Sequence, residues 1–124
     1  MKSVKQQKIA IYGGIHMNDF GLIQMQEIQK QLREKYKDKW GVLSPDKGRE
    51  QLLWMIIETG EAADIIKKYG DNNIMNHEGT RNHFIEELCD ILMYFNEVMI
   101  CYSISPEELR KAYLQKHDMN MKRW

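Results

Sequence analysis

The chain lacks an excess of either charge: 18 basic residues balance 18 acidic ones. Without a basic surplus no broad electrostatic footprint for a nucleic-acid polymer is expected, so charge-dependent function has to come from local clusters. Long hydrophobic runs are missing too. The longest, Leu52-Leu53-Trp54-Met55-Ile56-Ile57, is six residues, against the roughly 18 of a membrane span. Residues 1–12 carry lysines but no apolar stretch long enough for a signal-peptide core. No membrane partner is expected, and the expected location is cytoplasmic. Cysteine is scarce as well, with Cys89 and Cys101 alone, both in one predicted helix. Twelve helical residues hold them about 18 Å apart, far beyond disulfide reach. Neither has a cysteine or histidine at zinc-ligand spacing, so both read as free thiols in the core.

What is present describes one globular domain. The 124 residues are 43% apolar and 29% charged, enough for a real core. Leu22, Met25, Ile28, Leu32 and Tyr36 recur at three- and four-residue spacing and predict a helix over 19–39, with Asp19 as N-cap. A second helix is predicted over 46–69, with Ser44 capping, Pro45 in its first turn and Gly70 as its stop. The polar stretch 71–79 reads as a loop, and a third helix as 80–101. Ser105-Pro106-Glu107-Glu108 is a capping box that opens a fourth helix reaching at least Lys116. The segment 9–12 before Gly13-Gly14 reads as a lone strand or coil. The expectation is an all-α four-helix bundle over 19–124, behind an amino-terminal extension over 1–18. Helices two and three are apolar around most of their circumference, which predicts that another subunit covers them.

Inside those two apolar helices lie Glu58-Thr59-Gly60-Glu61 and Glu87-Leu88-Cys89-Asp90. Residues three apart share a helix face, so each helix presents a pair of carboxylates. One such pair alone is usually a solvated face; two, each beside apolar residues on consecutive helices, are harder to account for that way. If the helices pack antiparallel, the pairs can meet. Two like charges about 5 Å apart repel by roughly 3 kcal/mol at an effective dielectric near 20, so the set calls for cations or retained protons. Oxygen ligands without thiolates favour Mg²⁺ or Mn²⁺. Gly60, within the first pair, costs a helix about 1 kcal/mol and suggests close packing or ligand access.

This order of motifs, Glu-x-x-Glu, about 25 residues and then Glu-x-x-Asp in a small helical chain, resembles the MazG-like nucleoside triphosphate pyrophosphohydrolases. That superfamily of all-α NTP pyrophosphatases includes dimeric dUTPases and phosphoribosyl-ATP pyrophosphatase. The resemblance covers roughly residues 21–124. It implies that Glu58, Glu61, Glu87 and Asp90 are Mg²⁺ ligands, and that one of these acids or a neighbour helps activate the attacking water. It further implies hydrolysis of a nucleoside triphosphate to monophosphate and pyrophosphate, in a homodimer or homotetramer. Tyr113, Lys116, Asn120 and Arg123 follow helical spacing near the end. The family often carries a similar Lys and Asn there, which implies contact with the triphosphate; otherwise they form a solvated basic tail.

Lesser candidates surround the motifs. Glu86 and Asp64 are placed to support the acids, while Lys67 and Lys68 are expected at the surface. Trp54 and Tyr94 can stack a base, though core packing is the commoner role. His83 shares the face of Glu87. A di-iron or di-manganese carboxylate bundle is the nearest rival, but its Glu-x-x-His motif is missing. A non-catalytic nucleotide-binding helical partner protein is the other alternative.

Overall fold

The computed structural model describes residues 11–123, so expectations for residues 1–10 and for Trp124 lie outside the described residues. Within that range the chain is mostly helical. Strands β1 (Ile11–Tyr12) and β2 (Ile15–His16) form a small antiparallel hairpin, followed by a 3₁₀ turn at Met17–Asp19. Helices α1 (Leu22–Lys35), α2 (Lys37–Trp40), α3 (Pro45–Asn76), α4 (Glu78–Cys101) and α5 (Pro106–Met121) complete it. Of the segment expected as lone strand or coil, Ile11–Tyr12 is one arm of a hairpin, and residues 9 and 10 lie outside the described residues. Gly13 and Gly14, at φ 56° and 80°, make its turn. The Gly13 carbonyl accepts a hydrogen bond from Gln31 Nε2, tying the hairpin to α1.

Several boundaries move for local reasons. Gly21, not Asp19, caps α1, and the Gln24 side chain accepts from the Gly21 amide. The predicted 19–39 helix is interrupted at Tyr36, and α2 is a separate turn ended by Gly41 at φ 74°. Gly70 breaks the helical dihedrals without ending the helix: at φ 78°, ψ 162° it kinks α3, which resumes through Asn76. The stretch 71–79 is therefore helical, apart from His77. Its many asparagines bond within the helix, Asn76 Nδ2 donating to the Asn72 side chain at 2.8 Å. His77 then caps α4 by accepting from the Thr80 amide. At the far end the capping box forms as expected, with Ser105 and Glu108 satisfying each other's amides.

Three close approaches show that α3 and α4 run antiparallel: Gly48 beside Cys101 and Tyr102, Glu58 beside Glu87, and the Ile74 carbonyl beside Arg81. Gly48 lets the helices touch, since a Cβ there would lie 2.5 Å from the Tyr102 ring. Helix α1 crosses α4, while α5 departs from α4 at 112° and meets chiefly α1. Among the described residues the buried apolar ones are few: Ala62, Ile65, Ile74, Met99, Ile100 and Cys101. Cys89 is exposed rather than in the core, whereas burial pushes the Cys101 thiol up from its ordinary value.

The apolar stripe of α1 is not its most buried face. Gln26, Gln29 and Arg33 are: Gln29 and Arg33 meet Glu97 of α4, and Gln26 Nε2 donates to the Ile104 carbonyl. On α3 and α4, by contrast, Leu53, Ile56, Ile57, Leu88, Leu92 and Met93 stand at least two-fifths exposed. Among the described residues no single helix is long and apolar enough to cross a membrane.

Candidate metal centre and its adjoining cavity

The antiparallel pairing sets the two acidic motifs opposite each other. Glu58, Glu61 and Glu87 each offer an oxygen, and these oxygens all lie within 4.8 Å of one another. Glu58 and Glu87 are half-buried and Glu61 is exposed. One oxygen of Glu58 and one of Glu87 are shielded from solvent with no hydrogen-bond partner. Such oxygens are costly unless a cation or proton reaches them.

Electrostatics says the same. The Glu58 carboxyl is pushed up to about 7, first by burial, then by the neighbouring Glu87 and Glu61. The charges of Glu61 and Asp90 add to the rise. Asp90 stands outside the closest trio but near enough for its charge to act on Glu58. Tyr94, one turn beyond Asp90, is also raised, by burial and by the charges of Glu58, Asp90, Glu61 and Glu97. His83 Nε2 lies 3.3 Å from Glu87 Oε1, as their shared face predicts.

A cavity of about 360 Å³ lies among α1, α2, α3 and α4; of the four acids Asp90 lines it, and Glu58, Glu61 and Glu87 do not. Asp90, Trp54 and Tyr94 line it together with Trp40, Lys39 and Lys47. Trp54 is exposed and Tyr94 half-buried, and both border this space. Trp40 is held by stacking on Tyr36, ring centroids 5.3 Å apart. Gln29, Arg33 and Glu97 form part of the same wall. Sequence reasoning passed over these three and Trp40. A signal was there: polar residues at 26, 29 and 33 keep helical spacing, and Glu97 stands two turns beyond Asp90.

Other sequence candidates are placed elsewhere. Tyr113, Lys116, Asn120 and Arg123 are all exposed at the carboxyl end, and none lines the cavity. Asp64 forms an exposed ion pair with Lys68 at 3.0 Å, and Lys67 and Glu86 are exposed. Gly60 has nothing within 4 Å of where a Cβ would be, so no packing among the described residues requires it.

Comparison with family models, with curated proteins and with solved structures finds no match to this chain.

Proposed function

We propose that this chain is a Mg²⁺- or Mn²⁺-dependent nucleoside triphosphate pyrophosphohydrolase of MazG-like type, releasing monophosphate and pyrophosphate. The observation that carries the reading is the meeting of Glu58, Glu61 and Glu87, with shielded, unpartnered oxygens on Glu58 and Glu87. Like charges this close call for a cation, and an all-oxygen donor set suits a hard divalent ion. Glu58, Glu61 and Glu87 would hold it, with Asp90 at the cavity edge as the fourth acid. A bound ion would supply charge neutralisation at the phosphates and a lower pKa for the attacking water.

The rest falls to the protein. The cavity offers ring faces from Trp40, Trp54 and Tyr94 for a nucleoside, and the cations Lys39 and Lys47 for a phosphate chain. Glu58, raised to about 7 in the metal-free protein, would release its proton as the ion binds. The exposed Tyr113, Lys116, Asn120 and Arg123 are offered to the triphosphate of a neighbouring copy in a homodimer or homotetramer. The enzyme would work in the cytosol, where unpaired cysteines stay reduced.

The test is a hydrolysis screen over natural and modified nucleoside triphosphates with Mg²⁺ or Mn²⁺, with products separated by chromatography. Monophosphate and pyrophosphate in equal amounts are expected. A diphosphate product, or no consumption of any nucleotide, would refute the reading.

A further inference from the structure

The cavity wall holds one buried group that the acid site does not explain. Arg33 is 7% exposed, on the face of α1 turned toward α4. Its Nη1 lies 3.3 Å from Glu97 Oε2, and Gln29 Nε2 donates to the other Glu97 oxygen at 2.8 Å. Both oxygens of Glu97 are therefore engaged, and the guanidinium charge is cancelled where it sits. Arg33 Nη2, shielded from solvent, still has no acceptor among the described residues. A buried donor left so is an exception that asks for a cause.

The missing acceptor can be named by its chemistry. A phosphate suits an uncompensated guanidinium, but Glu97 already supplies the negative charge. An amino group would set donor against donor. A neutral carbonyl on a flat ring fits both the free N–H and the faces of Trp40, Trp54 and Tyr94. We propose that Arg33 is a specificity-determining residue: small side-chain shifts on binding let Nη2 donate to the ring carbonyl that stands where the amino counterpart carries its exocyclic amine, O4 of uracil or O6 of hypoxanthine. The site then prefers keto bases to their amino counterparts. This rests on the nucleotide reading of the cavity, and Gln29 and Glu97 serve to hold the guanidinium fork in place.

The experiment compares uridine with cytidine triphosphate, and inosine with adenosine triphosphate, pairs that differ by a ring carbonyl against an amine. The parent protein is expected to favour the keto member of at least one pair by about tenfold or more in kcat/KM. R33K keeps a charge beside Glu97 but loses the fork, and should bring that ratio below about threefold. Equal values for both pairs in the parent, or a folded R33K that keeps the ratio, overturns the proposal. If circular dichroism shows R33K unfolded, the pair is replaced whole as R33M with E97L, which leaves no lone buried charge. The same collapse of the ratio is expected, and a retained ratio counts against Arg33. Calorimetric titration with uridine and cytidine monophosphates repeats the comparison without hydrolysis. Selective binding of the keto monophosphate without triphosphate cleavage refutes the hydrolase and upholds Arg33; cleavage without preference does the reverse. No binding and no cleavage sinks both.

Discussion

Glu58 of α3 and Glu87 of α4 face each other with one oxygen of each shielded and unpartnered. The pair is a local source of instability until something neutral or positive arrives. E58Q or E87Q should therefore raise the stability of the metal-free protein, by on the order of 1 kcal/mol, because a like-charge contact is removed. The same variants should lose the stabilisation by Mg²⁺ that the parent shows, about 2.7 kcal/mol at a hundredfold excess over Kd. Thermal melts with and without Mg²⁺ measure both. Variants that destabilise the metal-free protein and still respond to Mg²⁺ would show that the acids bind no ion.

Activity tests the outer acids. E61A and D90A should each cut pyrophosphate release by about a hundredfold or more, with helical content unchanged by circular dichroism. Glu61 is exposed and Asp90 half-buried, so neither removal should open a cavity in the core. Parent-like rates in either variant would remove that residue from the site.

The raised Glu58 carboxyl gives a pH dependence with a definite sign. Between its ordinary 4.5 and about 7 the folded state holds a proton that the unfolded chain has released. Stability from this group is fully present below pH 4.5 and is lost as pH rises through about 7. Mg²⁺ competes with that proton, so its affinity should climb over the same window. Calorimetric titration of Mg²⁺ in two buffers of different ionisation enthalpy would detect the released proton. Affinity flat between pH 5 and 8 would contradict it.

The meeting of Glu58, Glu61 and Glu87 was legible in the sequence because helical spacing is arithmetic. Residues three apart share a face, and two such pairs embedded in apolar helices do not fit a merely solvated surface. The capping box at Ser105 and Glu108 was readable for the same reason: its signal is local. Gly70 and the stretch 71–79 misled, because a glycine that adopts positive φ reads as a stop even where helical turns resume behind it. The Arg33–Glu97–Gln29 wall was hidden for a different reason. Polar side chains bury only in pairs, and a pairing between residues 33 and 97 is a tertiary fact that no local pattern announces. Whether the tail residues from Tyr113 onward meet a phosphate likewise depends on surfaces outside their own helix.

Gly48 tests the packing that aligns the two acidic motifs. An alanine Cβ there would press on the Tyr102 ring at 2.5 Å and on Cys101 Cβ at 3.1 Å. G48A should destabilise the protein by about 1–3 kcal/mol, as overpacking does. Denaturant unfolding gives the number, and a neutral G48A would mean that α3 and α4 are not in such close contact at this end.

Gly60 tests what lies outside the chain. It sits in the middle of α3, where glycine costs about 1 kcal/mol relative to alanine. Among the described residues nothing within 4 Å of its missing Cβ offsets that cost. One turn back on the same face are Ile56 and Ile57, 60% and 41% exposed, and Leu53 is 57% exposed. On α4, Leu88 and Leu92 are 43% and 47% exposed. A face this apolar is rare on a soluble monomer, and a helix of a second copy lying across it would account for both the exposure and the glycine. G60A should then have opposite effects on the two levels of structure. It should favour the isolated helix, yet weaken self-association by about tenfold, because a methyl group holds the partner helix away. Light scattering and sedimentation across a dilution series separate the two. The parent is expected as a dimer or larger, and a fully active monomer of 14.8 kDa at micromolar concentration would end the argument.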